Sequence, residues 1–71
     1  MKIQLVIKNE YGEFKSRILD VNEDQYQTMI EISKDFYKDS FNMELENNGD
    51  QLYVPPDIVK KSILMVKKIE N

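Results

Sequence analysis

Seventy-one residues with a net charge of −3, no cysteine and no histidine describe one small domain, residues 1–71. Disulfides, a tetrahedral zinc site and Ser-His or Cys-His nucleophile pairs are excluded by composition, and with no histidine a pH switch between about 6 and 8 is not expected. A chain this short buries only about 60% of the surface it exposes when unfolded, so a good core or self-association has to supply its stability.

Ile3, Leu5 and Ile7 alternate with Lys2, Gln4, Val6 and Lys8, the period of a strand with one buried face. Asn9-Glu10-Tyr11-Gly12 reads as a turn in which Gly12 is free to take a positive φ. Phe14, Ser16 and Ile18 then alternate with Lys15, Arg17 and Leu19, which predicts a second strand and a hairpin. Val21-Asn22-Glu23-Asp24-Gln25-Tyr26 is a helix start: Asn22 caps, Gln25 reaches back, and Val21 and Tyr26 are spaced as a hydrophobic staple. The apolar stripe Tyr26, Met29, Ile30, Ser33, Phe36 and Tyr37, widened by Ile32, predicts a helix ending near Asp39-Ser40.

Phe41, Met43 and Leu45 alternate with Asn42, Glu44 and Glu46 as a third strand. Asn48-Gly49 suits a type I′ turn into a fourth strand through Leu52 and Val54, and Pro55-Pro56 ends that strand, with Pro56 placed to open a closing helix over residues 56–69. The order is strand-strand-helix twice, an α+β fold with a four-stranded, mostly antiparallel sheet and both helices on one side.

On a helix at about 100° per residue, Ile58, Ser62, Met65, Val66 and Ile69 share one side of the closing segment. Lys60, Lys61, Lys67 and Lys68 share the other, with Leu64 among them. Residues 1–59 carry six basic and twelve acidic groups, residues 60–71 four basic and one acidic, so an acidic body is joined to a basic final segment. An apolar residue ringed by lysines resembles a small interaction hot spot with a charged rim. The other sheet face offers Val6, Leu19, Val21 and Tyr53 among Lys15, Arg17 and Glu44, a surface suited to dimerisation.

Enzymatic function is not expected. The carboxylate pairs, such as Glu44 with Glu46, read as solvated faces, both glycines fall in turns rather than in a phosphate-cradling motif, and no cofactor or metal is implied. The leading expectation is a non-enzymatic protein–protein interaction module centred on Leu64, Lys60, Lys61, Lys67 and Lys68, with Tyr53 and Arg17 on the open sheet face. The alternative is a nucleic-acid-binding regulator using the lysine face, with Tyr11, Phe14 and Tyr53 available for base stacking. An effector pocket between sheet and helices lacks a convergent polar cluster, and membrane binding would take from the core the apolar stripe it needs. The chain has neither a signal-peptide run nor a membrane span. It therefore reads as cytosolic, and Met1 points to a whole gene product. In composition the chain resembles the small Lys/Asn/Ile-rich accessory proteins of bacteriophages and mobile elements. That resemblance implies a compact protein that binds and blocks a host protein.

Overall fold

Ile3, Leu5 and Ile7 commit one face of the first strand to a core, and everything else is arranged around that strand. The computed structural model describes residues 1–69. It is an α+β fold in the order β1 (Lys2–Asn9), β2 (Gly12–Lys15), β3 (Leu19–Asp20), α1 (Glu23–Ser33), a 3₁₀ turn (Phe36–Lys38), β4 (Phe41–Glu44), β5 (Gln51–Val54), α2 (Pro56–Val59) and β6 (Ile63–Ile69). All pairings are antiparallel. Strand β1 is central, with β2 and β3 along one edge and β6 along the other. The β4–β5 ladder stands apart and joins the main sheet through a bridge between Ser16 and Leu45.

Ile7, Met43, Val54 and Val59 form the buried centre, flanked by Leu5, Phe14, Phe36, Phe41, Leu45, Leu52 and Ile58. The core therefore lies on the Ile3–Leu5–Ile7 face, beneath α2 and the 3₁₀ turn. The local signals in the loops are realised. Gly12 has φ +135°, and Asn48 and Gly49 have φ +58° and +69°, the left-handed pair a type I′ turn requires. Pro56 opens α2. At α1, Asn22 Oδ1 accepts from Gln25 N–H at 2.8 Å and Gln25 Oε1 accepts from Asn22 N–H at 2.9 Å, a complete capping box. None of the α1 residues is buried, and eleven residues are too few for a helix to persist on propensity alone. The box thus carries much of its stability: Asn22→Ala should cost about 1 kcal/mol and speed hydrogen exchange of the α1 amides about fivefold, with β1 unaffected.

Three expectations require correction. First, β2 and β3 are not one strand. Val6 pairs with Lys15, whereas Ile3 pairs with Leu19, so one extra residue is accommodated at Ser16–Ile18. This is a β-bulge, and it inverts the side-chain alternation beyond it. Leu19 and Val21 therefore lie on the helix side of the sheet, and Ile18, expected inside, is 52% exposed. Second, the first helix stops at Ser33, and Asp35 leaves helical geometry at φ −109°, ψ 8°. The 3₁₀ turn that follows brings Phe36 edge-on against Phe41, with ring centroids 5.9 Å apart. Third, the closing helix is a single turn, Pro56–Val59, and residues 63–69 form β6, paired with β1 along its whole length. The run Ile63-Leu64-Met65-Val66 satisfies either period. The second edge of a β1 buried on both faces decides it in favour of a strand, which suits Ile63, Val66 and Ile69.

Candidate functional site

Because residues 63–69 are a strand, the lysine-ringed Leu64 of a helix face does not form. Leu64 is half-buried beside Ile7, while Lys67 and Lys68 fall on opposite faces of the sheet, opposite Gln4 and Ile3 respectively. Lys60 and Lys61 sit in the turn between α2 and β6. Lys68 Nζ lies 4.9 Å from the centre of the Tyr26 ring, a cation–π contact that ties the end of β6 to the first turns of α1. Arg17 is held by Glu44, with Nε to Oε2 at 3.0 Å, and Tyr53 projects from β5, 64% exposed.

The expected patch of Val6, Leu19, Val21 and Tyr53 is dispersed. The bulge turns Leu19 and Val21 to the other face, and Val6 is buried. What the open face carries instead comes from β6. Ile63 and Met65 are 61% and 45% exposed, and Lys67 lies beside them. On β1, Lys8 stands opposite Ile63 and Lys2 opposite Ile69, and beyond them β2 and β3 place Lys15 together with the carboxylates of Glu13, opposite Lys8, and Asp20, opposite Lys2. Apolar side chains among lysines do occur, then, on a sheet face rather than a helix face. Tyr53, Tyr11 and Phe14 meet around a crevice of about 230 Å³ that no lysine or arginine lines; of the three, Phe14 also borders a second crevice beside Lys15.

A concavity lies between the sheet and α1, where an effector pocket is not expected for want of a convergent polar cluster. Leu5, Leu64 and Val66 make its floor, Met29 and Ile32 of α1 its wall, and Phe36 and Phe41 its end, enclosing about 530 Å³. It exists because α1 spans the sheet without burying a residue in it, and Ile32 is left 65% exposed. Several polar groups at its rim are engaged locally: Ser33 Oγ donates to Ile30 C=O, Lys38 Nζ pairs with Asp35 Oδ1 at 3.2 Å, and Asp39 Oδ1 accepts from Ser40 N–H. A groove of this size is within the range of ligand sites, which ordinarily add a few convergent polar groups to fix a small ligand. Seven of the residues that line this one are large and apolar, so it offers mainly apolar contact, which suits inserted side chains of a protein partner. The one sequence signal for it is the pair Met29 and Ile32, one apolar residue more than the stripe facing the sheet needs.

Compared with protein-family models, curated proteins and solved structures, the chain matches none of them.

Proposed function

We propose that this protein is a non-enzymatic protein-interaction module, a small regulator or inhibitor that works by occupying a surface of a partner protein. The observation that supports it is the apolar groove between α1 and β6, open to solvent and continuous with β6. Isolated exposed apolar residues are common. Ile32, Leu64 and Val66 are different because they converge on one groove, and a groove filled by a partner's side chains is where interface energy concentrates.

The test uses affinity capture followed by calorimetry of the captured partner. Ile32→Glu should raise the partner's Kd at least about tenfold, while Tyr53→Ser, on the far crevice, should leave it within about twofold. Equal affinity of wild type and Ile32→Glu would remove the groove from the interface.

A second reading is favoured by one observation, four lysines against two carboxylates, Glu13 and Asp20, on the sheet face that carries Met65: a regulator that binds nucleic-acid phosphates through Lys2, Lys8, Lys15 and Lys67. Here recovered nuclease-sensitive material would elute with salt, and removal of each contacting lysine would reduce the salt slope by about one.

A further inference from the structure

Resting on the interaction reading above, we propose that the partner contributes an extended segment that alternates apolar and acidic residues and adds, antiparallel, to the free edge of β6. The backbone directions of β1 establish that edge. Leu5 C=O accepts from Ser16 N–H at 2.8 Å and Met1 C=O from Val21 N–H at 2.8 Å. Odd-numbered residues of β1 thus aim their peptide groups at β2 and β3, and even-numbered ones at β6. In register, the even residues face Ile63, Met65, Lys67 and Ile69. Leu64, Val66 and Lys68 therefore turn their N–H and C=O groups away from β1. Among the described residues β6 pairs with β1 alone, and these three take part in no other backbone hydrogen bond. A row of unpaired groups along an exposed strand is a template for another strand.

The side chains specify what that strand carries. Leu64 and Val66 put their side chains in the groove, so residues opposite them enter it beside Met29 and Ile32 and are apolar. The intervening residues emerge on the same face as Met65 and Lys67, with Lys2 and Lys8 on β1 beyond; Asp20 stands opposite Lys2 and Glu13 opposite Lys8 on the far side of β1, so Lys67 is the basic group nearest the incoming strand. None of these lysines has a carboxylate partner within ion-pair distance among the described residues, and residues 60–69 contain four lysines and no acidic residue. Acidic side chains complement the β6 side of that face, where the carboxylates of Glu13 and Asp20 are a strand or more away. A second copy of this chain does not, because self-pairing of β6 gathers the lysines of both copies along one seam, the arrangement by which edge strands avoid each other.

The experiment measures hydrogen exchange and affinity with synthetic capped peptides of about eight residues. One alternates Val with Glu, a second alternates Val with Lys, and two derivatives of the first carry N-methyl groups on the valines or on the glutamates. In the free protein the amides of Leu64, Val66 and Lys68 should exchange fast, and those of Met65 and Lys67 slowly. The Val-Glu peptide should slow the three fast amides at least about tenfold. The Val-Lys peptide and the valine-methylated derivative should bind at least about tenfold more weakly, and the glutamate-methylated derivative about as well as the parent. Equal effects of the two methylation patterns overturn strand addition, and equal binding of the Val-Lys peptide overturns the charge assignment. A concentration-dependent dimer that protects the same amides without peptide overturns the choice of occupant. If the peptides fail while Ile32→Glu still weakens the captured partner, strand addition falls and the interaction reading stands. Indifference of the partner to Ile32→Glu overturns the interaction reading itself.

Discussion

Replacing Ser16 by alanine should destabilise the protein by about 1–3 kcal/mol, lowering the thermal midpoint by about 4–8 °C for each kcal/mol lost. The residue is small and polar, and its value lies in two hydrogen bonds. Its hydroxyl accepts from Leu5 N–H at 2.9 Å and donates to Arg17 C=O at 2.8 Å, both in the bulge where regular ladder pairing is interrupted. Gln4 supports the same point from the neighbouring position, its Nε2 donating to Ser16 C=O at 2.8 Å and to Glu46 at 3.2 Å. Alanine leaves the N–H of Leu5, in the central strand, without its acceptor, and a buried donor in that condition is costly. Thermal unfolding followed by circular dichroism measures the loss. A change within about 0.5 kcal/mol, the ordinary range for inconsequential substitutions, would mean that water or a shifted backbone replaces the hydroxyl.

That bulge also marks where sequence reasoning stops. Signals contained within a few residues were legible: the Asn22–Gln25 capping box, the Asn48-Gly49 turn, Gly12 at positive φ, Pro56 at a helix start, and β1 as a strand, although its expected single buried face proved to be two, with Gln4 and Val6 buried as well as Ile3 and Ile7. Together with the α+β class and the antiparallel pairing, they followed from local steric and hydrogen-bonding rules. What was not legible depends on partners distant in the chain. Nothing local distinguishes Ser16 in a continuous strand from Ser16 in a bulge, yet one inserted residue moves Leu19 and Val21 to the opposite face. The apolar run at Ile63–Val66 fits a helix and a strand alike, and β1's need for a second neighbour decides between them. As a strand, residues 63–69 set Met65 and Lys67 together on one face and leave Leu64 without a ring of lysines. The groove was beyond reach for a third reason. Its volume depends on how far α1 stands from the sheet, a tertiary distance to which the amphipathic stripe is indifferent.

Two isoleucines measure that distance energetically. Ile7 is fully buried, opposite Phe14 on β2 and Leu64 on β6, and is part of the cluster with Met43, Val54 and Val59. Ile7→Ala should cost about 2–5 kcal/mol, the transfer loss plus a cavity in a tightly packed site. For a protein of this length that is a large part of the total, since stability runs at about 0.05–0.15 kcal/mol per residue. Ile32→Ala removes the same atoms from an exposed helix position and should stay within about 0.5 kcal/mol. Urea unfolding of both variants makes the comparison, with unchanged m-values confirming that each shift is one of stability. The contrast bears on function because folding alone does not require a large apolar residue at position 32. If Ile32→Ala proves nearly neutral for stability and still weakens the partner, the side chain acts through the groove. A loss at Ile32 comparable to that at Ile7 would mean that α1 is seated tightly on the sheet in solution. The groove would then be closed, and the free edge of β6 would have to recruit a partner without it.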